Sequence, residues 1–438
     1  MTEQELYSIE MDSILDFEQK YEEKDDIKSY EYLEYYPTSG SNLNMPGQIT
    51  ITIENQDEFY HPRRSWLLFE GDLLKKNGER YEDKDMITLT NNGILYLFGN
   101  MKYELAGGET EYLNHPGPAT TMLGMAKYPI GYGEGPGLMQ CWFSDSSEGA
   151  ANTNKGFNAR HSYIIMESNP KGSFSFAINL DHIFGFTEDY DGIVYGMRHS
   201  LQMVRKSDDN DAIFKAANAA EGKVVLSKIS WMMPHVQPND ILKFDLYKKI
   251  EEEAIIDARF RMRQCYIAEI PKDCSSYDWR LGVRSATEKP RHVLVAFQQN
   301  NFGSQNKNAS VFHNIGVKKM KVILNDTEYP LRDITQDFPK CHFVQYYKAF
   351  IDFARDYYGI DPLNGNNSVD PANFLERYPI FYFDISKQSE RLNQSVVDMR
   401  VKMEFSENVG KNVRAYAVII SDRRMKFQSS GKKMSVVY

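Results

Sequence analysis

The stretch Gln48–Ile53, QITITI, alternates polar and apolar residues with period two, which puts isoleucine on one face of an extended strand. That texture recurs along the chain and limits what it can fold into. SWLLFEGDLL (65–74) is a second apolar run, closed by KKNGER, where Asn77-Gly78 is a tight-turn signal. ITLTNNGILYLFGNMKYEL (87–105) continues it with turn residues inside, and SYIIM, FSFAINL, GIVYGM, SLQMVR and KVVLSKISWMM follow. The second half repeats the pattern. DARFRMRQCYIAEI (257–270), WRLGVRS (279–285), RHVLVAFQQ (291–299), VKKMKVIL (317–324), YPIFYFDIS (378–386), VVDMRVKMEF (396–405) and RAYAVIISD (414–422) all read as strands. One helix interrupts them, HFVQYYKAFIDFARDYYG (342–359), with an apolar stripe of Phe343, Tyr346 and Tyr347, Phe350, Phe353 and Tyr357 and a stop at Gly359.

A chain of 438 residues exceeds one ordinary domain. Its two halves each hold about eight short strands, with a repetition of architecture rather than of residues. The fold expected is all-β: two tandem eight-stranded jelly-roll sandwiches, a class that tolerates long inserted loops, with a helix in the second. Residues 1–47 are expected as an acidic arm and linker, 48–235 as the first jelly roll, 236–422 as the second and 423–438 as a basic tail. Within the arm, Leu6, Ile9, Ile14, Phe17 and Tyr21 stand at helical spacing, and YYPTSGSNLNMPG (35–47) reads as a linker. Residues 114–160, rich in Gly, Pro, Ser and Asn, are expected to leave the sheet as a long excursion outside the core.

Charge is unevenly spread. Residues 1–35 carry 12 acidic and 3 basic side chains, nearly all of the net −10 of the chain. Arg423, Arg424, Lys426, Lys432 and Lys433 are expected to be a solvated basic end. An acidic arm is a poor surface for duplex phosphate. No apolar run reaches 18 residues, so no membrane span is expected. MTEQELYSIEMDS lacks the features of a signal peptide, and Cys141, Cys265, Cys274 and Cys341 are too scattered for a disulfide framework. The expected compartment is reducing, where sequons at Asn308, Asn325, Asn366 and Asn393 have no consequence.

Candidate chemistry is sparse. GYGEGPG (131–137) has no following Gly-Lys-Ser/Thr and does not cradle phosphate as a P-loop does. TEDYDG (187–192) has Asp189 and Asp191 but places Arg198 where a calcium loop needs a carboxylate, so it reads as a turn. Histidines stand singly, as in Asp181-His182 and Pro234-His235, without zinc-ligand spacing. Gln56, Asp57, Glu58 and His61, in the stretch closed by Pro62, are expected to serve an exit loop after QITITI, itself read as the first strand of the first sheet. No catalytic, cofactor-binding or metal residue is assigned, and no cofactor is expected.

The order of these motifs carries more than any one of them. ITIENQDEFYHPRRSWLLFEGDL, LTNNGILYLFGNMKYEL, HIFGFTEDYDGIVYG and SKISWMMPHVQPND, then EKPRHVLVAFQ, NDTEYPLRDI, DYYG, FDISKQSE and AYAVIISDR, resemble the major capsid proteins of Polinton/Maverick elements and adintoviruses in the same order. The resemblance runs from about residue 48 to about 425; AGGETEYLNHPG (106–117) departs from it. It implies a double-jelly-roll, hexon-like virion protein and not an enzyme. Homotrimeric pseudo-hexameric capsomers would tile an icosahedral capsid around double-stranded DNA. Implied partners are further copies of the chain, penton and minor capsid proteins, and the packaged DNA at most indirectly, with assembly inside the host cell. The alternative class is a domesticated or cellular, lectin-like double sandwich that binds a ligand without forming shells.

Overall fold

The computed structural model describes residues 26–38, 42–54, 57–150, 153–252, 255–282, 288–361, 363, 369–387, 398–430 and 433–437. The main strands of the first sandwich are β1 (Ile27–Tyr35), β2 (Gly47–Ile53), β3 (Trp66–Lys75), β4 (Phe98–Leu105), β5 (Gly108–Asn114), β6 (Ser173–Asn179), β7 (His199–Arg205) and β8 (Gly222–Pro238). Those of the second are β9 (Ile255–Ile270), β10 (Ser276–Leu281), β11 (Glu288–Gln299), β12 (Val317–Leu324), β13 (Thr327–Tyr329), β14 (Phe381–Asp384), β15 (Met399–Phe405) and β16 (Val413–Ser430).

All pairings are antiparallel. In the first sandwich the sheets run β6-β3-β8-β1 and β2-β7-β4-β5. In the second they run β14-β11-β16-β9 and β10-β15-β12-β13, the same two orders with eight added to each label. Each sheet takes strands from both ends of its half, which is the jelly-roll connection. The chain is two jelly rolls in tandem.

Local sequence explains most strands. In β2 the isoleucines Ile49, Ile51 and Ile53 are buried while Thr50 and Thr52 are half exposed, so the period-two pattern becomes one core face. In β15, Met399, Val401, Met403 and Phe405 do the same. The helix over Val344–Tyr358 buries Tyr346, Phe350, Phe353 and Ala354 against the second sandwich. Its stop is Gly359 at φ 72°, a left-handed cap that glycine adopts without a Cβ clash.

Four features differ from the sequence expectations. First, the segment expected as arm and linker contributes β1, which pairs with β8 from Ile27 opposite Pro238 to Tyr35 opposite Trp231, so QITITI is the second strand of the sandwich. Most β1 side chains face solvent, so the strand leaves no apolar alternation to read. The helix expected over Leu6–Tyr21 lies outside the described residues.

Second, β8 runs past residue 235 to Pro238, and a short helix, Asp240–Glu251, joins the sandwiches; Asn239 caps it by accepting from the Leu242 N–H at 2.8 Å. Third, the basic tail is sheet. β16 extends through Arg423–Ser430, with Met425 and Phe427 buried and Arg424 and Lys426 on the solvent face, while Arg423 is buried and donates to the Glu109 carbonyl at 2.8 Å.

Fourth, the excursion over 114–160 enters the core. It carries the helix α1 (Pro116–Lys127), buried from Pro116 to Ala126 and packed against β4, β9, β16 and the Val344–Tyr358 helix. Its small residues, which read as loop, let it fit between layers. SYIIM (162–166) likewise continues a helix instead of forming a strand, because the preceding turn is capped by Asn154 and Ile164 and Ile165 reach the core in helical geometry.

Removing residues 1–35 therefore exposes the β8 edge over Trp231–Pro238. The expected outcome is a lower melting midpoint and concentration-dependent aggregation in a thermal scan; an unchanged melt would show β1 to be dispensable.

Candidate functional site

The residues singled out in the sequence scatter into structural duties. Gln56 lies outside the described residues. Phe59–Tyr60 is a short strand against β8, and Glu58 stands 3.9 Å from His235. His61 accepts or donates at both ring nitrogens, to Tyr30 Oη at 3.1 Å and Asp191 Oδ1 at 3.1 Å, tying β1 to the loop after residue 189. His182 is buried between Tyr128 Oη at 3.0 Å and Asn92 Oδ1 at 3.3 Å, and burial holds its imidazole well below the usual range. Gly131–Gly137 forms short 3₁₀ turns. Among the described residues no group of three or more His, Cys, Asp or Glu is placed to hold a metal ion, and no helix is long and apolar enough to cross a membrane.

What the fold does concentrate is charge in the seam between the sandwiches. Glu111 on β5 is fully buried, and its carboxylate accepts from the N–H groups of Gly185 (3.1 Å), Phe186 (2.9 Å) and, across the seam, Arg263 on β9 (2.8 Å). The Arg263 guanidinium, itself buried, pairs with Glu188 and donates to the carbonyls of Asp181 (3.2 Å) and His182 (3.0 Å). Glu188 is also held by Lys127 Nζ at 2.9 Å. Two residues along β9, Arg261 clasps Asp189 through its backbone N–H (2.7 Å), its Nε (2.9 Å) and its Nη2, while its guanidinium lies 3.9 Å from the centre of the Tyr357 ring. Alternate residues of one strand thus grip consecutive acids of one short helix, Gly185–Asp189. A charged group in such a place is tolerable only when paired and hydrogen-bonded.

The approach is close enough to require glycine. A Cβ on Gly185 would stand 1.8 Å from the Arg261 carbonyl oxygen, so the helix meets the strand backbone to backbone. Farther along, Asp145 is buried and ion-paired to Arg160 at 2.8 Å, accepts from Asn308 Nδ2 at 2.9 Å, and meets Tyr378 through its backbone. Asn308, one of the four sequons, is therefore an interior residue. Tyr96 donates to the Ala309 carbonyl at 2.9 Å, and the Gln305 side chain pairs with both backbone groups of Gly222 at 2.8 Å. The polar contacts of the seam are buried and specific. Sequence reasoning missed them because TEDYDG looked like a turn and Glu111 like one acid among many.

Burial shifts the seam's titrations. It pushes the Glu111 carboxyl up to about 7, with Arg263 and the three N–H groups pulling the other way. Burial also holds His199 at about 3 and His115 at about 4, the latter aided by Lys206 and Arg414.

The sequence matches the family described as double jelly roll-like domain over residues 144–425, well over half of its length. The chain belongs to that family. Its fold is similar to a chain in the 3.5 Å cryo-EM structure of the Sputnik virophage, at 10% identity and TM-score 0.59, covering 94% of this chain and 89% of that one. It is also similar to the Faustovirus major capsid protein (9% identity, TM-score 0.54, covering 92% and 90%) and the mavirus major capsid protein (12%, 0.52, covering 93% and 90%). No curated protein sequence matches the chain.

Replacing Arg263 with Met leaves Glu188 and Glu111 facing a buried apolar group; a loss of about 3–5 kcal/mol is expected in urea unfolding. Gly185→Ala forces the seam apart and costs about 1–3 kcal/mol, the range for overpacking.

Stability also depends on pH. Glu111 binds its proton more tightly folded than unfolded, so its contribution is complete below its ordinary 4.5 and is lost as pH rises through about 7. His199 and His115 are depressed from 6.5, so theirs is complete above 6.5 and is lost as pH falls towards about 4 and about 3. Denaturation midpoints measured from pH 4 to 9 should rise to about pH 6.5, where the two histidines outweigh Glu111, and level off above about 7. Glu111→Gln should steepen the rise between pH 4.5 and 6.5 by about 1.4 kcal/mol per pH unit.

Proposed function

We propose that this chain is a structural protein, the major subunit of a viral or transposon-encoded capsid. Three copies close into a pseudo-hexameric capsomer, and capsomers tile an icosahedral shell around double-stranded DNA. The observation that carries this reading is the repeated strand order: one chain offers two like blocks fixed by a buried seam, so a closed three-fold ring offers six. The fold likeness to the mavirus and Faustovirus major capsid proteins supports the same reading. The motif order favours the Polinton/Maverick and adintovirus lineage.

On this reading the work of the chain is assembly. Apolar burial at subunit contacts supplies affinity and polar loops supply direction. The partners are other copies, penton and minor capsid proteins; the DNA is met at most indirectly, since most of the net negative charge sits in residues 1–35 and the rest of the chain is nearly neutral. The place of action is the virion, assembled within the host cell.

Light scattering of the purified chain, with negative-stain imaging of the peak, tests this. A species of three times 50.7 kDa, about 152 kDa, with hexagonal outlines is expected. A monomer at every concentration and salt would overturn the capsid reading and favour a ligand-binding double sandwich.

A further inference from the structure

A second feature of the seam faces outward. Where β9, β11 and β16 run side by side, a groove of about 620 Å³ is lined by Arg259, Arg261, Lys289, Arg291, Arg423 and Arg424, against Asp189 and Asp422. Asp257 adds a third carboxylate, 2.6 Å from Arg424 and 3.9 Å from Arg259. Arg423 is buried and donates to the Glu109 carbonyl at 2.8 Å, so five cations face three acids, a local surplus of two on a chain whose net charge is −10. Arg259 and Arg424 are largely exposed, and Arg261 and Arg291 are already oriented by Asp189 and Asp422.

The chain itself carries a complement of opposite sign. Residues 1–25 contain nine acidic and two basic side chains, with Leu6, Ile9, Ile14, Leu15, Phe17 and Tyr21 among them. This segment joins the fold at Asp26, whose carbonyl accepts from the Asn239 N–H at 2.9 Å at the start of β1. From β1 a short path of contacts leads to the groove. Tyr30 meets His61, His61 meets Asp191, and Asp189, two residues back, is held by Arg261. Twenty-five residues reach about 80 Å when extended and about 37 Å even when helical, ample for such a path. Exposed Ile255 and Ile256, leading into Arg259 on the same strand, offer the apolar residues a place to rest.

We propose that residues 1–25 of the same chain occupy this basic groove, their carboxylates on its arginines and Lys289. Tethering gives the segment an effective concentration on the order of millimolar, so it holds the groove against free anions and against DNA phosphate. Each ion pair at this half-open surface is weak, and the set is sensitive to salt.

Zero-length carbodiimide cross-linking of the full chain at low salt, read by mass spectrometry, tests this. Lys289 should be joined to carboxylates between Glu3 and Asp25. The double variant Arg259→Glu, Arg424→Glu, checked for folding by circular dichroism, should lower that yield about tenfold, as should about 0.5 M salt. Cross-links from Lys289 confined to neighbours such as Asp422 would overturn the proposal. So would an unchanged yield in the folded double variant. In oligomers assembled from an equal mixture of isotopically light and heavy chains, light-to-heavy cross-links making up about half of the total would overturn it by placing the segment on a neighbouring copy. Duplex DNA binding that needs Arg259 and Arg424, without any cross-link to the segment, would assign the groove to nucleic acid instead.

Discussion

The grip of Arg261 and Arg263 on Asp189, Glu188 and Glu111 is the interaction on which the arrangement of the molecule depends. The apolar core runs on from one jelly roll into the other, with Phe186 against Phe260 and Tyr190 against Phe427, but apolar packing is non-directional and does not by itself fix how the two sit together. The seam does, because a buried charge displaced from its partner costs several kcal/mol. Arg263 meets Glu188 on one side and two carbonyls on another, and Glu111 accepts three N–H groups, so a sliding or rotation of one sandwich would strand several groups at once. Gly185 lets the backbones come close enough for those bonds to form.

On the proposed capsid reading, that fixity is what a two-block subunit requires. A trimer approximates a hexagon only if its two blocks hold a constant angle, and an apolar seam alone, being non-directional, would specify it less sharply. The helix Pro116–Lys127 fills the space between the layers, and Asp145, reaching Asn308 and Tyr378, ties the long loop of the first sandwich to the second. The long excursion of the first half thereby becomes a structural bridge.

The strands were legible where side chains alternate. QITITI, VKKMKVIL and MRVKMEF carry their burial in their letters, and the helix ending at Gly359 carries both its stripe and its stop. Legibility failed where the backbone pairs but the side chains stay wet, as in β1, and where charge drew the eye from alternation, as in the Arg423–Phe427 stretch of β16. It failed again at Pro116–Lys127, whose prolines, glycines and threonines suit a loop and form a buried helix only because surrounding layers leave room for a thin one.

By itself, then, the sequence determined an all-β chain of two like halves with a helix in the second, because the period-two alternation and turn residues that define strands act over a few neighbours. It also set the sign of charge at each end. Only the tertiary structure decided which strands share a sheet, that Ile27–Tyr35 and Arg423–Ser430 belong to those sheets, and that Glu111 and Arg263, 152 residues apart, meet. Those choices rest on hydrogen bonds and ion pairs between distant segments, whose energies depend on burial, and burial does not exist until the two sandwiches have closed on each other.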